Sequence, residues 1–156
     1  MIILGIDPGT TAIGYSVADR QKGKIKILQT GLLGVTSPSA EGKLLEIHQG
    51  ISSLIRRWKV EILAVERLFF AKNQKTALAV AEARGVILLT SALADLKVYE
   101  YTPLEVKKTI TGDGRADKIQ VQKILRLTIP EAKELKARDD VFDAMAVALT
   151  YCYKEK

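Results

Sequence analysis

The sequence predicts an α/β protein in which helices pack on a mixed sheet of five strands. Three short strands come first, as a meander, and two later strands alternate with helices. This order is typical of a sheet that is covered by helices. The 156 residues, of which 47% are hydrophobic, are enough for a sizeable core. Because no internal repeat or linker divides the chain, we expect one domain over residues 1–156.

The first predicted strand ends on an acid. Residues 2–6 form a nearly continuous apolar run, which suits a strand that is buried on both faces of a sheet. Asp7 follows, and Pro8 and Gly9 then break the strand. Because a buried carboxylate is costly without a cationic partner, Asp7 predicts a metal ion, a basic side chain or a phosphate-bound ion beside it.

Periodicity and turn residues place the other elements. A second buried strand, like the first, ends on an acid, Glu66. The expected elements are strands at 13–18 and 24–28 around a turn at 19–23, a helix at 39–58 capped by Ser39 or Ser37, a strand at 61–65, an alanine-rich helix at about 73–94, a strand at 97–101, a short helix opened by Pro103, a helix from a capping box at Asp117 to about Leu127, and a last helix at 137–153.

Four carboxylates are expected to meet at one edge of this sheet. Asp7 and Glu66 each end a buried strand, and sites in open α/β sheets form outside the carboxyl ends of strands. Asp140 and Asp143 are three residues apart, which places them on one face of the last helix. Such an oxygen-rich set suits Mg²⁺ or Mn²⁺, because four negative charges repel one another unless cations neutralise them. Two ions about 4 Å apart can activate a water and stabilise the leaving oxygen in phosphodiester cleavage.

Three of these acids, Glu66, Asp140 and Asp143, also have a purely structural explanation. Asp139 or Asp140 could cap the last helix, and Asp143 could lie in its first turn, where the helix dipole favours an acid. Glu66 could simply mark the end of a strand. The combination of two strand-end acids with a pair of helix acids favours the metal site.

The distribution of charge suggests a polyanionic partner. The net charge is +6 and the pI about 9.4. Between Lys107 and Arg126 there are six basic residues against two acids, and between Arg67 and Arg84 four against one. Such patches are typical of nucleic-acid binding, although a basic solvated face is the alternative. Of the adjacent Phe69 and Phe70, one could stack on an unpaired base, although two aromatics just after a strand usually belong to the core.

Composition also restricts the compartment. The single cysteine, Cys152, cannot form an intramolecular disulfide, which fits a reducing cytosol. No stretch approaches the roughly 20 apolar residues that span a bilayer, and the first residues enter a strand directly. We therefore expect a cytoplasmic protein, without membrane insertion or secretion.

Six short motifs lie in a fixed order along the chain. They are G-I-D-P-G at 5–9, E-R-L-F-F-A-K-N at 66–73, A-R-G at 83–85, V-K-K-T at 106–109, K-I-Q-V-Q at 118–122 and D-V-F-D-A at 140–144. In this order and at these separations, they make the chain resemble the RuvC Holliday-junction resolvases from the first strand to the last helix. The resemblance implies a ribonuclease H-like fold and a homodimeric, Mg²⁺-dependent endonuclease that cuts four-way DNA junctions by paired, symmetric incisions, in recombination and repair.

The resemblance also implies roles for particular residues. The catalytic and metal-binding acids would be Asp7, Glu66, Asp140 and Asp143, with Asp7 bridging two Mg²⁺ ions. Asp139 lies beside the matched pair, and the three-residue spacing to Asp143 favours Asp140 over it. By the resemblance, Phe69, near the crossover, Lys107 and Lys118 would contact DNA. The basic patches add Arg67, Lys72 and Arg115 to the residues expected to contact DNA. The helix after Asn73 would form the dimer, and the partners would be the RuvA and RuvB branch-migration proteins.

Three other functions fit parts of the sequence. The turn after Asp7 resembles the first phosphate loop of actin-like ATPases and sugar kinases, but those proteins enclose a nucleotide between two domains, and the chain supplies only one. A small RuvC-like relative of the YqgF kind would act on RNA, although the helix after Asn73 and the aromatic loop fit a junction resolvase better. A module that binds junctions without cutting them would not need all four acids.

Overall fold

The computed structural model of the protein describes residues 1–67 and 74–155. Its strands are β1 (Ile2–Asp7), β2 (Ala12–Gln21), β3 (Lys24–Gly34), β4 (Ile62–Glu66) and β5 (Lys97–Tyr101). Its helices are α1 (Ala40–Trp58), α2 (Gln74–Leu93), α3 (Pro103–Thr111), α4 (Lys118–Thr128) and α5 (Asp139–Lys154), with a 3₁₀ turn at Pro130–Ala132.

The five strands form one mixed sheet in the order β3-β2-β1-β4-β5. The pairs β1–β2 and β2–β3 are antiparallel, whereas β1–β4 and β4–β5 are parallel. The parallel pairs bring the carboxyl ends of β1, β4 and β5 to the same edge. The mixed five-stranded sheet flanked by helices is therefore confirmed.

Each face of the sheet carries its own hydrophobic core. Side chains alternate along a strand, so Ile3 packs on the face covered by α3, α4 and α5, and Leu4 on the face covered by α1 and α2. Helix α5 is buried along most of its length, from Val141 to Cys152. It crosses β1 at Gly5, where an added Cβ would lie 2.6 Å from the Cβ of Ala148. The missing side chain thus lets α5 lie directly on the sheet.

The hairpin is longer than the sequence predicts. Strand β2 continues to Gln21, so the turn is the two residues Lys22 and Gly23 rather than 19–23. Both have positive φ, of 48° and 78°, the conformation that suits a tight hairpin. Strand β3 runs on past Leu28 to Gly34, because residues 29–34 pair along β2 although their glycines and a bulge at Val17 hide the alternation.

The helix ends follow capping chemistry. Ser39 caps α1, and the predicted capping box of Asp117 with Gln120 is present at α4. A second capping box, of Thr102 with Glu105, begins α3 and has no counterpart in the prediction. Helix α5 begins at Asp139, two residues later than predicted, after Arg138.

Helix α2 has two different apolar faces. Ala83 and Ile87 are buried against the core, whereas Leu78, Leu89 and Leu93 on the outer face are 72%, 59% and 70% exposed. The expectation that no stretch approaches a membrane span is wrong for this helix. Thr76–Leu93 is long and apolar enough to cross a bilayer by length and composition alone, and only 22% of this segment is buried in the structure. An exposed apolar face of this size calls for a covering surface.

Candidate active site

The two strand-end acids are neighbours at the carboxyl edge of the sheet. Asp7 is the last residue of β1 and Glu66 the last of β4, and these strands are paired in parallel, with Ile6 opposite Val65. The alternation that puts Ile3 and Gly5 on the α5 side puts Asp7 there too. Glu66 shares that side with Ala64, which packs in the α5 core. Both carboxylates therefore face α5.

A glycine on β2 allows α5 to reach this edge. Gly14 is paired with Asp7 in the ladder, and an added Cβ there would overlap the carbonyl oxygen of Asp140 and lie 3.1 Å from its Cβ. With no side chain at Gly14, the first turn of α5 rests on the sheet, and Asp143 follows within the next turn. The structure thus brings Asp7, Glu66, Asp140 and Asp143 together.

The pKa values of Asp7 and Glu66 reflect how close these acids are to one another. Burial raises its pKa from 3.8 to about 8, and the charges of Asp143, Glu66 and Asp140 add to the rise. The pKa of Glu66 is raised to about 7, again by burial and then by the charge of Asp143. Nearby negative charge thus disfavours the ionised forms of Asp7 and Glu66, and a cation beside them would relieve that repulsion.

Basic side chains already balance part of this charge. The Nζ of Lys118 lies 2.9 Å from Oδ2 of Asp143, and Nη2 of Arg138 lies 3.1 Å from Oδ2 of Asp140. Burial lowers the pKa of Lys118, but the hydrogen bond and charge of Asp143 outweigh it and hold that pKa above its ordinary value. Burial and the charge of Asp143 keep the pKa of Glu66 raised, although the charges of Lys118 and Lys107 pull it downward. Two of the predicted DNA-binding lysines therefore lie beside the acids.

Asp139 and Asp140 have different surroundings, although neither is the cap of α5. Asp139 is 61% exposed, accepts a hydrogen bond from Gln122 at 2.8 Å and lies 4.0 Å from Lys118. It is not among the charges that shift the pKa of Asp7, whereas Asp140 is. Asp140 is thus the member of the pair that faces the strand-end acids.

The donor set fits a hard divalent cation in chemistry and charge. Carboxylate oxygens are the ligands that Mg²⁺ and Mn²⁺ prefer, and the raised pKa values of Asp7 and Glu66 show that a positive charge would be stabilised beside them. Within residues 1–67 and 74–155, no three acid, histidine or cysteine side chains are close enough to hold one ion in common. The acids are neighbours whose side chains, in part, pair with Lys118 and Arg138.

The other predicted DNA-binding residues are more dispersed. Arg67 follows Glu66 directly and pairs with Glu100 at 3.5 Å, and exposed Arg115 lies in the turn before α4. Phe69 and Lys72 lie outside the described residues. Sequence reasoning missed Arg138, for which a basic residue just before the acid pair was the available signal. It also missed Gly14, whose role appears only when α5 is placed on β2.

Fold and acids together define a class. The sheet has this mixed order, acids end two adjacent strands, and further acids begin a helix that lies across those strands. This combination defines a ribonuclease H-like domain, as the resemblance implies.

Comparisons with known proteins narrow the class to a family. A family model described as "Crossover junction endodeoxyribonuclease RuvC" matches residues 3–151. The chain is similar to the crossover junction endodeoxyribonuclease RuvC of Finegoldia magna, with 44% identity over 100% of this chain and 95% of the relative. It is also similar to that of Moorella thermoacetica, with 47% identity over 97% and 90%. The chain belongs to the RuvC family.

A solved structure agrees with this assignment. The structure of Thermus thermophilus RuvC in complex with a Holliday junction substrate matches with a TM-score of 0.88 and 32% identity, over 98% of this chain and 93% of that one. The match therefore includes the edge where the four acids lie.

Proposed function

We propose that this protein is a DNA endonuclease that resolves four-way (Holliday) junctions by paired, symmetric nicks, in recombination and DNA repair. The observation that carries the proposal is the convergence of Asp7, Glu66, Asp140 and Asp143 at one sheet edge in a chain that belongs to the RuvC family. Clustering four acids is electrostatically unfavourable, and a protein that only bound junctions would not need such a cluster.

We propose Mg²⁺ as the cofactor, two ions per site, with Mn²⁺ as a substitute. Asp7, Glu66, Asp140 and Asp143 would hold the metal, which would supply charge neutralisation and activation of the attacking water. Burial and the charges of the other three acids raise the pKa of Asp7 to about 8, which identifies it as the group that depends most on a cation. Lys107 and Lys118 lie beside the acids and would bind and orient the DNA backbone there.

We further propose a homodimer formed through the outer face of α2. Leu78, Leu89 and Leu93 are exposed there, and an added Cβ at Gly85 on the same face would meet nothing within 4 Å of the single chain. A second copy would cover the leucines and could approach closely at Gly85. A two-fold dimer gives two identical sites, as two symmetric nicks require. Equilibrium sedimentation tests this, and a monomer at all concentrations would refute it.

The same family resemblance supports RuvA and RuvB as partners and the cytoplasm as the location, without membrane insertion. The outer face of α2 is then a protein interface rather than a lipid-facing one. Association of the purified protein with RuvA on a junction, measured with and without RuvB, tests the partner proposal. No recovery of a ternary complex would count against it.

The deciding experiment for function uses a synthetic four-way junction and a linear duplex of the same sequence. Each is incubated with the protein, with Mg²⁺ or with EDTA. We expect paired nicks in the junction only, and only with Mg²⁺. Equal nicking of the duplex would remove the structure selectivity, and ATP hydrolysis without nicking would favour the phosphotransfer alternative.

A further inference from the structure

Arg84 is a charged residue on the buried side of α2. Its neighbours on that side, Ala83 and Ile87, are fully buried, and its own side chain is only 17% exposed. A guanidinium in such a place is costly unless it is paired. Its Nη2 lies 2.7 Å from Oε1 of Glu100 on β5, so Glu100 is the partner that makes the position tolerable.

Glu100 connects Arg84 to the edge of the sheet where the four acids lie, referred to below as the active edge. Its second oxygen, Oε2, lies 3.5 Å from Nε of Arg67, the residue directly after Glu66. The backbone N–H of Arg67 also donates to the carbonyl of Tyr101 at 2.8 Å. The three charged side chains therefore form a chain, referred to below as the Arg84 relay, that runs from α2 through β5 to the end of β4.

The Arg84 relay lies on the opposite face of the sheet from the carboxylate of Glu66. Glu100 is paired with Val65 in the ladder, and Val65 packs in the α1/α2 core. Glu66, one residue later, points to the opposite face, toward Asp143. Arg84 thus supports the strand that carries Glu66 from the other side of the sheet, without contact with the acids.

We propose that Arg84 is a positioning residue: through Glu100 it fixes Arg67 and the end of β4, and so aligns Glu66 for cleavage. The inference rests on the proposed junction cleavage. It accounts for the A-R-G motif, whose arginine has no place among the metal-binding or DNA-binding residues. It also connects the helix proposed for dimerisation to the active edge.

The first test separates catalysis from binding. The variants Arg84→Ala and Glu100→Gln are compared with the unaltered protein in single-turnover junction cleavage at saturating enzyme, together with junction affinity. We expect the cleavage rate to fall about 10- to 100-fold, since displacement of a reacting group by about 1 Å costs that much, while the Kd changes by less than about threefold. Arg84→Lys, which keeps the charge, should restore part of the rate.

The second test asks whether the residues act together. If the Arg84 relay is the path, the double variant Arg84→Ala/Glu100→Gln should be no slower than the slower single variant. The matched control is Lys154→Ala, which removes an equally short ion pair, with Glu105 at 2.8 Å, at the far end of α5 from Asp140. We expect the control to cleave within about twofold of the unaltered protein.

The third test does not depend on cleavage. Hydrogen exchange of the Arg67 amide, which is bonded to Tyr101, should become about tenfold faster in Glu100→Gln, while the Val65 amide keeps its protection. This measurement decides the inference even if the unaltered protein does not cut junctions, a result that would refute only the proposed function.

Three outcomes would overturn the proposal. They are an unchanged single-turnover rate in both single variants, additive losses in the double variant, and conversion of Arg84→Ala to a monomer in sedimentation. The last would show that Arg84 acts through association of α2. Glu100→Gln keeps the shape of the side chain, so it carries the cleavage test and the hydrogen-exchange test if Arg84→Ala does not fold.

Discussion

Replacing Asp7 by asparagine should stabilise the metal-free protein while it abolishes cleavage. The pKa of Asp7 is raised from 3.8 to about 8, so ionising this carboxylate destabilises the folded state. An acid with a raised pKa carries no penalty below its unfolded value, a growing penalty between the two values, and the full penalty above the folded one. The gain from Asp7→Asn should therefore be near zero at pH 4 and largest above pH 8.

The size of the effect follows from the shift. At pH 7 the penalty is up to about 4 kcal/mol, at about 1.4 kcal/mol per unit of pKa. Burying the asparagine amide offsets part of this, which leaves about 2 to 3 kcal/mol. For a chain of this length, the midpoint of thermal unfolding should rise by roughly 4 to 12 °C. Junction binding should persist, because the proposed phosphate contacts come from basic side chains rather than from Asp7.

The assay is thermal unfolding in EDTA at pH 5, 7 and 9, repeated with Mg²⁺. The cation should stabilise the unaltered protein and leave the variant nearly unchanged, since the variant has lost the central carboxylate. Asp139→Asn is the matched control: it removes an exposed acid from the same helix turn as Asp140 and should change stability by less than about 1 kcal/mol and retain cleavage. A variant less stable than the unaltered protein at pH 9, or undiminished cutting by it, would refute the reasoning.

Three further predictions concern the basic residues beside the acids, the contact of α5 with β2, and the outer face of α2. Lys107→Ala and Lys118→Ala should each weaken junction binding and reduce the slope of log affinity against log salt by about one; unchanged binding and cleavage in both would leave the basic segment a solvated face. Gly14→Ala should push the first turn of α5, which carries Asp140, away from β2. This should cost about 1 to 3 kcal/mol in chemical unfolding and abolish cleavage, and normal activity would contradict the packing of α5 on Gly14. Leu89→Glu should shift the sedimentation equilibrium to monomer without lowering the unfolding midpoint of the monomer, whereas a persistent dimer would place the interface elsewhere.

The strand-end acids could be read from the sequence, but the end of the hairpin could not. The apolar runs before Asp7 and Glu66 are continuous because both strands are buried on both faces, so their ends are sharp. Strand β3 is an edge strand with half-exposed residues, and pairing with β2 extends it where alternation is no longer visible. Local patterns report burial, whereas strand length at an edge depends on the partner strand.

The acids of α5 mark a different limit. Their spacing predicts a shared helix face, and in the structure the charge of Asp140, but not that of Asp139, is among those that raise the pKa of Asp7. The reason that α5 can reach Asp7 is a backbone contact at Gly14, 126 residues earlier in the chain than Asp140. The pairing of Arg84 with Glu100 is equally non-local. Contacts of this kind leave no periodic signal, so only the folded chain reveals them.

Helix α2 connects the proposed dimer with the proposed alignment of the active edge. Its outer face carries exposed leucines, and its inner face carries Arg84, the start of the Arg84 relay to Arg67. A second copy on the outer face would restrict the motion of α2, and the Arg84 relay would restrict the end of β4 in turn. Dimerisation would then do more than supply two sites, because it would also help to hold each Glu66 in place. Leu89→Glu should therefore lower the cleavage rate per site, even at saturating junction, and a monomer that nicks at the full rate would separate the two roles.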